Sequence, residues 1–361
     1  MRFAWIFRVG LIGAFAAFGS SCGGRASAPT IARPRLVGRF DAEGRFAWSA
    51  STIEARFEGR AIAVRLRGGA DAIPYTVIVD GGAPRTIEVT RDRERYDLAS
   101  DLARGEHVVT LVREGEAHGG THQLLGFEID GRLLPAPPPR ARRIEILGDS
   151  ITCGYGVLGA SKSCHFSFDT ERATHAYGWL ASRALGADVT TVCWSGRGVI
   201  RNYDGSTEGV APELYELDVP ETRSVHDFAR DAEPDAVVVA LGTNDFIGGN
   251  GAPLDVPRFE AAYGRLLARI REARPHALVV IATSPMLGAD PTPSGAGTVR
   301  EVFRASLDRV VLARREVDPR VDLIDLEYQG DRLGCDWHPN DAMHRRLGEQ
   351  LAAFLAARIG R

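Results

Sequence analysis

Four residues in this chain could together break an ester. Ser150 follows Gly148-Asp149 at the end of an apolar run, Ile144-Glu145-Ile146-Leu147, and precedes a Gly-rich turn ending at Gly156. Gly196 lies in Trp194-Ser195-Gly196-Arg197, Asn244 in Gly242-Thr243-Asn244-Asp245, and His338 in Cys335-Asp336-Trp337-His338-Pro339-Asn340. Ester hydrolysis needs a nucleophile, a base for its proton and donors for the oxyanion. Ser150 suits the first role and His338 the second, the imidazole later returning the proton to the leaving alcohol. The N–H groups of Ser150 and Gly196 and the side-chain amide of Asn244 suit the third. The serine is not in a Gly-x-Ser-x-Gly elbow, because Thr152 stands where that motif needs glycine. Only the neutral ring of His338 can take the proton, so the rate is expected to rise with pH.

The elements that must position these groups alternate from residue 142 onward. Strands are predicted over 143–147, 188–193, 235–241, 277–283 and 321–326. Helices are predicted over 174–185, 257–273 and 298–314, with a last one from about Asp341. Alternating strand and helix means a parallel sheet with crossover helices, whose strand ends open on one edge. The first three strands end at Gly148, Cys193 and Leu241, so that edge collects Ser150, Gly196 and Asn244. Asp149 and Asp245 are expected to bond nearby backbone. His165, His175 and His344 are expected to be structural or exposed. Trp194, Trp337 and Tyr155 are candidates for stacking on a sugar face, with core or cleft-wall packing the alternative.

Residues 34–135 read differently. Ile62, Val64 and Leu66 alternate with Arg65 and Arg67, the period of a half-buried strand. Further strands are expected around 75–79, 86–89, 108–112 and 123–129, with a hairpin turn at Asp80-Gly81-Gly82. Many short strands without a helical period imply a jelly-roll β-sandwich. His118, Gly119, Gly120 and His122 read as loop. Residues 136–141 hold Pro137, Pro138 and Pro139 and read as a stiff linker before the hydrolase domain at 142–361.

The whole chain has 361 residues, 44% hydrophobic and 25% charged, with a formal charge of −3, so nothing in its overall charge points to nucleic acid. Residues 1–22 read as an export signal: Arg2 and Arg8, an apolar run from Val9 to Phe18 too short to span a bilayer, then small residues before Cys22. Cys22 is a candidate lipidation site, and a plain secretory signal cut nearby is the alternative. Residues 23–33 read as a flexible tether. The expected location is therefore outside the cytoplasm: outer-membrane lipoprotein, periplasmic or secreted. Cys153, Cys164, Cys193 and Cys335 then permit three pairings, among them Cys153 with Cys164, and free buried thiols are the alternative. No Cys-x-x-Cys or His-x-x-x-His spacing appears, so no metal and no cofactor is expected. A monomer is expected.

The four blocks, in order, resemble the SGNH, or GDSL-type, hydrolases. With the preceding jelly roll, Gly-Asp-Ser-Ile-Thr-Cys-Gly-Tyr-Gly and Asp-Trp-His-Pro, the chain is most similar to carbohydrate esterase family 2, the acetyl xylan esterases. The resemblance implies metal-independent removal of acetyl groups from polysaccharides such as acetylated xylan or glucomannan, with Ser150 and His338 catalytic. Gly196 and Asn244 would complete the oxyanion hole. The wider pattern has Asp three residues before the histidine, where this chain has Cys335. Either Asp336 reaches the ring as a third catalytic residue, or a main-chain carbonyl such as that of Trp337 orients it. An esterase or lipase of other acyl preference, and a non-catalytic carbohydrate-binding lipoprotein, are the alternatives.

Overall fold

The computed structural model describes residues 32–360 except 293, 294 and 296. The export signal, Cys22 and nearly all of the tether lie outside the described residues.

Period-two alternation builds the N-terminal half. Its strands are β1 (Arg35–Val37), β2 (Arg45–Phe46), β3 (Thr52–Gly59), β4 (Ile62–Arg67), β5 (Ile73–Val79), β6 (Arg85–Val89), β7 (Arg95–Ala99), β8 (Gly105–Arg113), β9 (His122–Ile129) and β10 (Arg132–Leu134). One antiparallel sheet runs β1-β3-β8-β5-β6, with β10 also on β3; the other runs β2-β9-β4-β7. Ile62, Val64 and Leu66 point inward while Arg65 and Arg67 face solvent. They meet Ile53, Phe57, Tyr75, Val77 and Leu111 between the sheets. The β5–β6 turn closes at Asp80 and Gly81, both at positive φ, with Gly82 N–H bonded to the Val79 carbonyl. That is the mirror-image turn that matches strand twist.

The second half is a five-stranded parallel sheet. Its strands are β11 (Arg142–Gly148), β12 (Ala187–Cys193), β15 (Ala236–Ala240), β16 (Leu278–Ala282) and β17 (Val321–Ile324), in the order β12-β11-β15-β16-β17. A short hairpin, β13 (Leu217–Val219) with β14 (Ser224–Val225), lies between them in sequence. The strands are near-continuous apolar runs because both faces are covered. Helices α2 (Tyr177–Ala184) and α7 (Asp341–Ala356) cover one face, through Tyr177, Ala181, Leu347 and Leu351. Helices α5 (Val256–Ala273) and α6 (Val299–Arg315) cover the other, through Phe259, Leu267, Phe303 and Leu307. The remaining helices, α1 (Ser150–Cys153), α3 (Ala211–Leu214) and α4 (Thr243–Ile247), are single turns.

Strand β11 is where the winding reverses, since its neighbours are reached by crossovers in opposite directions. Ligands bind beyond the carboxyl ends of strands at such a point.

The two sheet systems share buried contacts. Trp48 of the sandwich is fully buried among the α5–α6 side residues, and its indole N–H donates to the Leu217 carbonyl at 3.3 Å. Glu145 of β11 is bridged by Arg39 at 2.7 Å and by Arg274 at 2.8 Å. Burial opposes its charge, but the two guanidiniums outweigh that and hold the carboxyl below its ordinary value.

Candidate active site

Strand β11 ends at Gly148, where a Cβ would stand 2.0 Å from the Thr152 hydroxyl oxygen, so only glycine lets the chain turn there. Asp149 then caps α1, accepting from the Ile151 N–H at 3.1 Å. Ser150 is the first residue of that turn, so its own N–H has no partner within the helix. Burial pushes the Asp149 carboxyl up to about 7 against the hydrogen bonds it accepts.

His338 reaches Ser150 from the loop before α7. Its Nε2 is 2.8 Å from Ser150 Oγ. Its Nδ1 faces two carbonyl oxygens, Asp336 at 3.0 Å and Cys335 at 3.3 Å. Carbonyls only accept, so Nδ1 carries the proton, and Nε2 is the bare nitrogen that accepts from the Ser150 hydroxyl. Burial lowers the ring's pKa to about 4, outweighing the carbonyls and the Asp336 charge, which favour protonation. Tyr155 stacks on the ring, centroids 4.0 Å apart.

The Asp336 carboxylate is directed elsewhere, which corrects the expectation that it reaches the imidazole. It accepts from the Tyr155 hydroxyl at 2.7 Å, the Phe166 N–H at 3.0 Å and His165 Nδ1 at 2.8 Å. Burial again opposes its charge, but these donors keep its pKa below the ordinary value. The carbonyl that orients the ring is that of Asp336, not of Trp337; the Trp337 carbonyl accepts from the Gln329 side chain at 2.8 Å. The geometry comes from a turn in which Asp336 and Trp337 both have positive φ, 48° and 59°, closed by His338 N–H on the Cys335 carbonyl. A bulky residue rarely holds such a φ. Here a disulfide between Cys164 and Cys335, the three bonds to the Asp336 carboxylate, and Asp336 N–H on the Cys164 carbonyl hold it.

Gly196 stands three residues beyond the end of β12, and Asn244 in α4, four residues beyond the end of β15. Gly196 has φ 77° and its carbonyl accepts from the Tyr203 N–H. A Cβ there would meet nothing nearer than 3.8 Å, so conformation rather than space calls for glycine. The Asn244 amide donates to the Arg197 carbonyl at 2.9 Å and makes a long 3.4 Å contact with Asp149. The Asp245 carboxylate bonds the N–H groups of Val199, Ile200 and Arg201, holding the loop after Gly196. Cys153, three residues after Ser150, is bonded to Cys193, three before Gly196. The Cys153–Cys164 pairing considered from sequence therefore does not occur.

Ser150, Gly196, Asn244 and His338 line one cleft of about 520 Å³, walled by Tyr155, Tyr203, Ile247, Met286 and Trp337. Trp337 and Tyr203 are 57% and 58% exposed there, free to meet a ligand. Trp194 is not part of this wall. It packs against the core beneath, with the Arg197 guanidinium 4.9 Å from its ring centroid. Tyr203, Ile247 and Met286 carry no sequence signal: Tyr203 and Met286 sit on connections, and Ile247 at the end of the single turn α4, whose paths are set only by the folded chain. His175 pairs with Asp341, and His344 is buried, as expected of structural residues.

Comparison with known proteins agrees with this architecture. Residues 36–138 match the family described as Carbohydrate esterase 2 N-terminal, and residues 146–346 the GDSL-like Lipase/Acylhydrolase family. The chain is 33% identical over 331 residues to Cellulase/esterase CelE of Acetivibrio thermocellus, covering 90% of this chain but only 39% of that longer protein. It is 29% identical over 288 residues to an acetylxylan esterase / glucomannan deacetylase of Cellvibrio japonicus, covering 77% of this chain and 75% of that one. Among solved structures, a family two carbohydrate esterase from Clostridium thermocellum in complex with cellohexaose superposes with a TM-score of 0.82 at 33% identity, covering 91% of this chain and 99% of that one. With both halves matched and this identity sustained over a whole solved chain, the protein belongs to the GDSL-like lipase/acylhydrolase family and to carbohydrate esterase family 2.

Proposed function

We propose that this chain is a serine ester hydrolase that removes O-acetyl groups from polysaccharides of the xylan or glucomannan kind. The observation that carries the reading is the 2.8 Å contact from Ser150 Oγ to a His338 Nε2 left bare by the main-chain carbonyl on the ring's other nitrogen. Ser150 gives its proton to Nε2 as its oxygen attacks the acetyl carbonyl. The negative oxygen that develops is met by the Ser150 and Gly196 N–H groups and the Asn244 amide, which exchanges its long Asp149 contact for it. His338 then passes the proton to the departing sugar hydroxyl, leaving acetyl on Ser150. A water deprotonated by the same nitrogen releases acetate. The imidazolium formed in each half is stabilised by the Asp336 carbonyl rather than by a carboxylate.

The sugar would lie along the exposed rings of Trp337 and Tyr203. The relative solved with cellohexaose supports a cleft open to a glucan chain. Export is part of the same proposal: residues 1–22 as signal, with Cys22 as a lipid site. Two disulfides suit an oxidising compartment. Among the described residues no helix is long and apolar enough to cross a membrane.

The test is acetate release from acetylated xylan and acetylated glucomannan, wild type beside Ser150→Ala. Release lost in the variant is expected. Full release by the variant would remove Ser150 from the mechanism, and release from neither polymer with aryl acetate still cleaved would remove the polysaccharide.

A further inference from the structure

We infer that Glu116, carried by the β-sandwich, is a positioning residue for the oxyanion loop of the hydrolase domain and acts through Ser195. The inference rests on the proposed role of Gly196 as an oxyanion donor.

Glu116 lies on the loop between β8 and β9, and its side chain is fully buried. One carboxylate oxygen accepts the Ser195 N–H at 2.6 Å and the other accepts the Ser195 hydroxyl. Ser195 is the residue whose carbonyl carbon bears the Gly196 N–H. Gripping it by main chain and side chain together sets the plane of that peptide and hence the aim of the Gly196 N–H. Among the described residues that N–H has no acceptor. Such charge-assisted bonds in a buried site are short and directional.

The neighbouring supports act elsewhere along the segment. The Cys153–Cys193 disulfide anchors it before Trp194, and Asp245 holds the N–H groups after Gly198. Glu116 grips Ser195, the residue before Gly196, by its N–H; Arg197, the residue after, donates its N–H to the Trp194 carbonyl at 3.3 Å.

The sandwich in turn presets Glu116. The buried Arg113 guanidinium donates to the carbonyls of Gly115, Glu116 and Gly120, at 3.0, 3.1 and 3.0 Å. The Glu116 N–H donates to Glu171 at 3.0 Å. Burial, and then the nearby charge of Glu116, push the Glu171 carboxyl well above its ordinary range. Both carboxylate oxygens of Glu116 are thus turned toward Ser195, while its N–H is held by Glu171. On this account the N-terminal domain contributes to the rate and is not only a packing partner.

The experiment compares wild type, Glu116→Gln, Ser195→Ala and Ser150→Ala on an aryl acetate, with Tm measured for each. Glu116→Gln keeps the volume but turns one acceptor into a donor. It is expected to lower kcat about 10- to 100-fold, less than outright loss of an oxyanion donor, with KM within about 2-fold. Inhibition by a small alkylboronic acid, whose adduct on Ser150 places an oxygen in the hole, is expected to weaken by the same factor. Ser195→Ala keeps the N–H bond and is expected to lower kcat about 3- to 10-fold, and it carries the test if Glu116→Gln does not fold. Unchanged kcat in a folded Glu116→Gln, or in Ser195→Ala, with Ser150→Ala inactive, overturns the positioning role and leaves the serine mechanism standing. A fall in kcat without weaker boronate inhibition overturns it too. An active Ser150→Ala overturns the underlying mechanism instead.

Discussion

Asp336 and His338 touch through the main chain and not through the carboxylate: the Asp336 carbonyl lies 3.0 Å from His338 Nδ1 while its side chain bonds Tyr155, His165 and Phe166. The residue serves the imidazole by the shape it imposes on its own turn. In a serine triad, exchanging the orienting Asp for Asn costs about 10⁴ in kcat because the wrong tautomer results. Here Asp336→Asn is expected to cost less than about 10-fold, since Asn tolerates positive φ and leaves the carbonyl in place. Asp336→Ala, which frees all three anchors, is expected to cost more. Steady-state kcat for both variants checks this, and a 10⁴ loss in Asp336→Asn would show that the carboxylate orients the ring after all.

In the proposed mechanism the working form of His338 is neutral, and burial lowers its pKa to about 4. Activity is therefore present above that value and lost as pH falls through it. A profile of kcat/KM for an aryl acetate, from pH 3.5 to 8, is expected to rise with a midpoint near 4 and then level off. A midpoint near the ordinary imidazole value of about 6.5 would mean that the ring is solvated.

The two disulfides each brace one half of the proposed catalytic pair. Cys153–Cys193 ties the turn after Ser150 to the end of β12, and Cys164–Cys335 ties the loop of His338 to residue 164. Denatured but unreduced protein is expected to show no thiol from these four cysteines. Replacing either pair by serine is expected to cost about 2–5 kcal/mol of stability. Thiol titration and urea unfolding read the two outcomes; free thiols in the native protein would contradict the pairing.

Glu145 is buried between Arg39 and Arg274, its carboxylate shared by a sandwich residue and a hydrolase residue. Removing it leaves two guanidiniums buried without their common partner. Glu145→Ala is expected to destabilise the fold by about 3–5 kcal/mol. Replacing the triplet by well-packed apolar residues should cost far less. Urea midpoints of the single and triple variants decide between them, and a single variant as stable as wild type would show that water reaches the pair.

Trp337 and Tyr203 present exposed rings to the cleft, 57% and 58% accessible. Trp337→Ala is expected to raise KM for an acetylated oligosaccharide about 2- to 10-fold while leaving KM for a small aryl acetate unchanged. An equal rise for both substrates would place the ring's effect on the reacting acetyl group instead of the sugar.

Much of this protein was legible in residue order. The alternation of Ile62, Val64 and Leu66 with arginines, and the apolar runs ending at Gly148, Cys193 and Leu241, specify their strands locally. Turn residues then place Ser150, Gly196 and Asn244 at one sheet edge. Strand β3 was harder to read because Glu54 is buried on it, a placement that depends on Arg35 from another strand. What only the tertiary structure decided are relations between distant segments: which cysteines pair, which carbonyl faces His338, that Trp194 turns into the core while Tyr203 meets the cleft, and that Glu116 of the sandwich reaches Ser195. Periodicity records which face a residue turns to the core and is silent on which group from another segment it meets there. Those meetings follow from how the sandwich and the parallel sheet pack, and in this site they set the aim of His338 and of the groups proposed as oxyanion donors.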